Sequence, residues 1–462
     1  MRGVKMIEPE LDTICEGIAI LILATIGISL EKISQAEAWM SCLPENVRQA
    51  VFLYIVGLIA CEKKATNTKI AGKVGFLSHD SFNKALKRCK PLVKTMTIVL
   101  INFCLSQTTG YLIIDDCLVP KRYASNIEGV YNEFDHADNE RVKGMRIVMI
   151  MWSNGQVRIP VAWAIWHKEK KYFLGRTPKG QAKYEHTGVC LYGVDGQEIP
   201  YRTKNQIALD LVEQVLERGL KTQYITFDSW YASRDNLISI TENSFAMPIE
   251  CYSRLKRNRK VIFQGQKMTV KEVDRLFAIN TFNHKHGAYI KGVDVLLPEY
   301  GDIKLLLVRK DTHEEPDRTK YMFTTDHTAS APQILLRYRT RWAIETGFRD
   351  LKQELNVGSC QALSLDAQES HLALSIFAFV LLELLPDLQY DEQVFRTIGE
   401  KKKLLSQISL FSNPSRTQYW VINSSRPGTP FVPIEESNID KVGLCFEFAY
   451  KTLLFPDFQR AA

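Results

Sequence analysis

The chain has 462 residues, 45% of them hydrophobic and 24% charged. That balance excludes disordered, collagen-like and disulfide-stapled classes and leaves length for a few folding units of about 100–200 residues each. The 59 Lys and Arg against 52 Asp and Glu leave +7, a mild surplus whose meaning depends on where it sits.

The ten cysteines are scattered and none forms a CxxC pair, so they support neither a zinc site nor a disulfide framework and read as buried thiols of a reducing compartment. The opening MRGVKMIEPELD turns acidic before any apolar stretch, unlike a signal peptide. Gly17–Leu30, bracketed by Glu16 and Glu31, and His371–Leu385, broken by Glu383, fall short of the roughly 20 apolar residues a bilayer needs. Both are expected as buried core helices of a soluble, cytoplasmic protein with no membrane partner.

Residues 1–105 carry helix formers at 3.6 spacing and no strand-like alternation. Within them Thr66–Val74, the turn Gly75–His79 and Asp80–Cys89 form a helix-turn-helix candidate over 66–89. Between Glu62 and Lys94 stand nine cations, among them Lys84, Lys87 and Arg88, against Glu62 and Asp80 alone. A lone basic run is ordinarily a solvated helix face. Here one segment holds a surplus equal to that of the whole chain, which points to a DNA-phosphate surface.

From Tyr111 the texture changes. Tyr111–Pro120 (YLIIDDCLVP) is a strand-like apolar run holding two aspartates. Met145–Ser153 and Gln156–Trp166 read as strands joined at Asn154-Gly155, a pair favoured by type I′ hairpin turns. Thr203–Arg218 is an amphipathic helix ended by Gly219. Tyr224–Asp228 and Phe245–Cys251 are further strands. This order predicts an α/β fold, a mixed sheet with helices on its faces, over 106–251 and 328–390. Residues 252–327 interrupt it with a β-rich insertion (Lys260–Phe263, Ala288–Leu297, Ile303–Arg309, Lys320–Thr324), opened by Arg254, Lys256 and Arg257. Ala331–Leu355 is expected as one long helix with Pro332 in its first turn. Residues 391–462, Ser/Asn/Pro-rich around Ser412–Pro433, are expected as a tail or peripheral layer.

Phosphate-loop, HExxH, GxSxG and strand-linked GxGxxG motifs are missing. What remains is acids in costly places. Asp115 and Asp116 interrupt an apolar strand and Asp228 ends another, where carboxylates face desolvation. Any one of them would ordinarily be a strand-end cap or a salt bridge. With a third acid they could hold two divalent ions roughly 3.5–4 Å apart for in-line displacement at phosphorus. That third acid is Glu345. At about 100° per residue, Tyr338, Arg341, Glu345, Arg349 and Lys352 share one helix stripe. The stripe fits either an exposed i,i+4 salt-bridge ladder or a metal ligand among phosphate-gripping cations.

Tyr-x2-Arg-x3-Glu-x6-Lys resembles the YREK signature of bacterial insertion-sequence transposases of family four and its close relatives, in the DDE group. LIIDDCLVPKR and ITFDSWYAS resemble that family's two aspartate strands, and the likeness spans about residues 65–385. The resemblance implies a ribonuclease-H-like catalytic domain with a β-rich insertion, beside the all-α N-terminal DNA-binding domain. It implies Asp116, Asp228 and Glu345 as the catalytic and metal-binding triad. Asp116 is favoured over Asp115, which would then be an outer or structural acid, though the choice between them stays open. Two Mg²⁺ ions, with Mn²⁺ as a substitute, are implied. Tyr338, Arg341, Lys352 and Arg349 would position DNA, with Lys84, Lys87, Arg88, Arg254, Lys256 and Arg257 as further contacts. The partners would be double-stranded DNA, both terminal inverted repeats and target, gripped by a homodimer. Two alternatives predict DNA binding as well: a ribonuclease-H-like nuclease without strand transfer, and a catalytically silent relative.

Overall fold

A computed structural model describes residues 45–423, apart from 62–63, 75–76, 106–107, 136–138, 191–197, 242–248, 286, 312–317, 386, 391–392 and 412–419. The expected helix Gly17–Leu30, the turn residues Gly75 and Phe76, the first part of the Phe245–Cys251 strand and most of the C-terminal tail lie outside the described residues.

Four helices open the described chain: α1 (Glu45–Ala60), α2 (Asn67–Val74), α3 (His79–Arg88) and α4 (Lys90–Leu105). Ser78 caps α3, its hydroxyl accepting the Ser81 N–H at 3.3 Å, which satisfies a donor the first turn would otherwise leave unmade. The helix buries Phe82, Ala85 and Leu86 and exposes Lys84, Lys87 and Arg88 on the other side.

The chain then builds a large mixed sheet. Its first strands are β1 (Thr109–Pro120), β2 (Tyr131–Asp135), β3 (Glu140–Ser153) and β4 (Arg158–Trp166). A separate two-stranded ribbon follows, β5 (Glu169–Arg176) with β6 (Ala182–Cys190). Helix α5 (Lys204–Glu217) packs on β3 and β4 and starts from a capping box of Thr203 and Gln206. Next come β7 (Lys221–Phe227), α6 (Arg234–Thr241), β8 (Glu250–Arg254), β9 (Lys260–Phe263), β10 (Gln266–Thr269), α7 (Val270–Arg275), β11 (Phe282–Asn283), β12 (Ala288–Leu297), β13 (Gly301–Arg309) and β14 (Lys320–Thr324). The sheet order is β10-β9-β12-β13-β14-β8-β7-β1-β3-β2, with β4 also on β3 and β11 on β12. Strands β1, β7 and β8 run parallel. Leu112, Ile113 and Ile114 of β1 and Ile225 and Phe227 of β7 are fully buried, the apolar density expected of parallel strands covered on both faces.

Three expectations change in detail. The β3–β4 connection is a four-residue loop, 154–157, closing on the Ser153–Arg158 pair. Gly155 has φ +91° but Asn154 does not enter the left-handed region. A type I′ turn needs both residues there; instead Asn154 Oδ1 accepts the N–H groups of Gln156 and Val157 at 3.0 Å. The strands of 252–327 extend the central sheet from β8 through β14. The single helix expected over Ala331–Leu355 is two, α8 (Ala331–Arg339) and α9 (Trp342–Gln353). They join through tight i→i+3 bonds, Arg341 N–H to Tyr338 C=O at 3.1 Å and Ala343 N–H to Thr340 C=O at 3.1 Å.

Helix α10 (Leu365–Leu384) is long and apolar enough to cross a membrane by composition, yet 89% of its apolar window is buried inside the protein. Two short hairpins, Leu388–Tyr390 with Gln393–Phe395 and Ile408–Phe411 with Trp420–Asn423, flank α11 (Ile398–Gln407). The described residues divide into two compact units, one comprising those of 45–101, Val119–Asn132 and 349–423, the other those of Asn102–Leu118 and Glu133–Phe348. All seven described cysteines are free thiols, six of them buried.

Candidate active site

The second unit brings the acids together through strand register. Ile114 of β1 pairs with Phe227 of β7, so Asp115, at the point within β1 where that parallel pairing stops, stands beside Asp228, which follows the end of β7. Crevices beyond the carboxyl ends of parallel strands are where open α/β sheets place their chemistry. Successive strand residues point to opposite faces, so Asp115 and Asp116 have different surroundings.

Asp115 Oδ2 accepts from Arg341 Nη1 at 2.8 Å and its Oδ1 from the Asp116 N–H at 2.8 Å. Burial pushes its pKa up to about 7; Arg341 pulls it down, and the charges of Asp116 and Asp228 push it up again. The other guanidinium arm, Nη2, holds Glu345 Oε1 one helical turn on. Arg341 therefore spans the carboxylates of the strand and the helix, and its Nε is buried with no hydrogen-bond partner. Burial opposes its charge, but Tyr338, Asp115 and Glu345 hold its pKa above the ordinary guanidinium range. Tyr338, buried beneath, places its ring centroid 5.9 Å from the guanidinium. Asp228 acts on both Asp115 and Tyr338.

Asp116 faces elsewhere. Arg146 Nη1 reaches its Oδ2 at 2.7 Å, and Lys204 Nζ at 2.8 Å and the Tyr231 hydroxyl at 2.7 Å reach its Oδ1. Burial alone would raise its pKa, but Lys204, Tyr231 and Arg146 outweigh it and hold the carboxylate below the ordinary range. The carboxylate sharing Arg341 with Glu345 is that of Asp115, while Asp116 is committed to a buried clamp tying β1 to β3, α5 and the loop after β7.

Among the described residues no three carboxylate, imidazole or thiolate groups are drawn together at ligand distance; the Arg341 guanidinium occupies the place between Asp115 and Glu345. Arg349 is 57% exposed, with Nε 3.7 Å from Asp350, and Lys352 is exposed on α9 two turns beyond Glu345. Arg254, Lys256 and Arg257 are exposed at the end of β8 and beyond.

Sequence reasoning missed the clamp of Arg146, Lys204 and Tyr231, because three isolated residues of β3, α5 and a loop carry no spacing signal. Trp230, a motif residue to which the sequence assigned no role, is 56% exposed, with Lys204 Nζ at 4.8 Å and Lys256 Nζ at 5.4 Å from its ring centroid. Arg337, next to the signature tyrosine, lies over Tyr224 and Tyr252 and pairs with Asp326 at 3.0 Å, tying α8 to the sheet.

The site is thus a cluster of carboxylates from β1, the residue after β7 and the helix α9, two of them bridged by one arginine. A family model described as "DDE superfamily endonuclease" matches residues 39–275, more than half the chain, and the chain belongs to that superfamily. A second model, "Archaeal putative transposase ISC1217", matches residues 183–391. The first range contains Asp115, Asp116 and Asp228, the second Asp228 and Glu345. Among solved structures, the chain is similar to the cryo-EM structure of a piggyBac transposase synaptic complex with hairpin DNA, at a TM-score of 0.44 and 12% identity over 79% of this chain and 71% of that one. No curated protein matches the chain.

Proposed function

We propose that this protein is a DNA transposase of the YREK-signature type, with a ribonuclease-H-like catalytic sheet, that cuts the ends of a mobile element and joins them to target DNA. The carrying observation is the bridge Asp115–Arg341–Glu345, formed beside Asp228 within a chain of the DDE superfamily. Asp115, Asp228 and Glu345 would hold the divalent ions, Mg²⁺ with Mn²⁺ as substitute. The fit is supported by what occupies the place between Asp115 and Glu345, a cation, and by Asp115 being a hard-oxygen donor that burial makes ready to bind positive charge. When bound, such ions activate a hydroxyl nucleophile and neutralise charge at phosphorus.

The chain's own residues supply the rest. Arg341 holds the Asp115 and Glu345 carboxylates in place, and its guanidinium would turn to a non-bridging phosphate oxygen once ions take over those carboxylates. Tyr338 fixes the guanidinium. Arg349 and Lys352 continue the cationic stripe along α9 toward the DNA backbone, and Lys84, Lys87 and Arg88 with Arg254, Lys256 and Arg257 add phosphate contacts. Two element ends call for two copies on DNA.

The test is incubation of the full chain with labelled linear DNA spanning its gene and native flanks, with Mg²⁺ or Mn²⁺ beside EDTA. Discrete metal-dependent cuts at two inverted ends, followed by joined products, support the proposal. Cuts without joined products leave a nuclease, and end binding without cutting by the wild type leaves a silent relative.

A further inference from the structure

The ribbon β5–β6 plays no part in the site described above. It is a two-stranded sheet of its own, detached from the central sheet. Its base is fixed: Glu169 is 7% exposed and accepts from His186 Nδ1 at 2.7 Å and the Gly188 N–H at 3.3 Å, with Lys171 Nζ at 3.3 Å. The Cys190 N–H donates to the Ile199 C=O at 2.7 Å. Beyond that base its side chains stand exposed among the described residues. Tyr172, Phe173, Leu174 and Tyr184 are 53%, 60%, 55% and 48% exposed, on a ribbon exposed on both faces. An isolated two-stranded ribbon is marginal in water, and clustered exposed aromatics mark a surface meant to be covered.

Charge selects the occupant. Along the exposed part of the ribbon the chain carries Lys170, Lys171, Arg176, Lys179 and Lys183 against one exposed carboxylate, Glu185, which pairs across the strands with Tyr172. A second copy docked ribbon to ribbon would oppose like charges, whereas a polyanion meets a complementary surface. The major groove of B-DNA, about 12 Å wide, admits a two-stranded ribbon. We infer that β5–β6 is a DNA-binding arm, seated in a duplex groove with Arg176, Lys179 and Lys183 on the flanking phosphates and the aromatic side chains against sugars and base edges. This rests on the DNA-handling reading above and adds to it a second, non-catalytic contact.

The test measures affinity of the full chain for a labelled linear duplex across a salt series, comparing wild type with the R176A/K179A/K183A variant and, separately, with Y172A/F173A. Loss of three phosphate contacts should flatten the slope of log affinity against log salt by roughly two to three. The aromatic variant should weaken binding while leaving that slope unchanged. K179R/K183R, which keeps the charge, should bind as wild type does, separating lost contacts from misfolding. A wild-type slope in R176A/K179A/K183A overturns this inference and leaves the transposase proposal standing. A change in mass by ultracentrifugation without a change in slope also overturns it, assigning the ribbon to a second copy. A wild-type protein that does not bind duplex DNA at all overturns both.

Discussion

Neighbouring aspartates on β1 should respond in opposite ways to the same substitution. Asp116→Asn removes a carboxylate whose side chain is 8% exposed and that is held by Arg146, Lys204 and Tyr231 at 2.7–2.8 Å. Breaking a buried pair by removing one partner costs about 3–5 kcal/mol, because the remaining cations stay buried without a counter-charge. At roughly 2–4 °C per kcal/mol for a unit of this size, the melting temperature should fall by about 6–20 °C. Asp115→Asn removes a charge that burial disfavours. Lifting its pKa from 3.8 to about 7 corresponds to roughly 4 kcal/mol withheld from the native state at pH 8. That variant should therefore melt at or above the wild-type temperature while losing DNA cleavage. Thermal unfolding at pH 8 without metal, followed by circular dichroism, reads both. A large drop for Asp115→Asn with none for Asp116→Asn would refute the assignment of ligand and clamp.

Four further outcomes follow from buried groups. Because the folded pKa of Asp115 is raised, its contribution to stability is present below pH 3.8 and lost as pH rises to about 7; metal-free unfolding curves of wild type should show that loss relative to Asp115→Asn, and metal-dependent cleavage should rise over the upper part of that interval. His371 behaves with the opposite sign: burial lowers its pKa from 6.5 to about 3, so its contribution is present above pH 6.5 and lost as pH falls toward 3, and His371→Gln should flatten the acid limb. The His371 ring is hydrogen-bonded to the Asn356 C=O at 3.2 Å and to the Tyr54 hydroxyl at 2.9 Å, and that hydroxyl donates to Asn67 Oδ1 at 3.1 Å, so Tyr54→Phe should cost about 1–3 kcal/mol in a denaturant titration. Gly110→Ala would set a Cβ 2.3 Å from Trp152 Cε2 and 2.5 Å from the Ser153 carbonyl oxygen, a clash with a fully buried ring that should cost about 1–3 kcal/mol or more and reduce soluble yield.

Much of this candidate site is legible in the sequence. The runs around Asp115 and Asp228 gave themselves away because charged groups in apolar strands are expensive, and the YREK spacing placed Arg341 and Glu345 one turn apart. The strands Lys260–Phe263, Ala288–Leu297 and Lys320–Thr324 carry alternation strong enough to fix their bounds. The break between α8 and α9 was hidden, since Thr340 and Arg341 carry no helix-stop signal, and the contact at the break, Tyr224 Oη with Thr340 Oγ1 at 3.2 Å, comes from distant sequence. Which of two adjacent aspartates faces Glu345 was equally hidden. Strand parity separates them, but only the positions of Lys204, Arg146 and Tyr231, brought in from distant sequence, decide which one is neutralised.

Mn²⁺ binding by the full chain, followed by electron paramagnetic resonance, tests the central claim most directly, because it reads the carboxylates without requiring a correct DNA end. The account predicts that wild type takes up Mn²⁺, that Asp115→Asn, Asp228→Asn and Glu345→Gln each lose it, and that Asp116→Asn retains it at temperatures where it stays folded. Retention by Asp115→Asn with loss by a folded Asp116→Asn would contradict it.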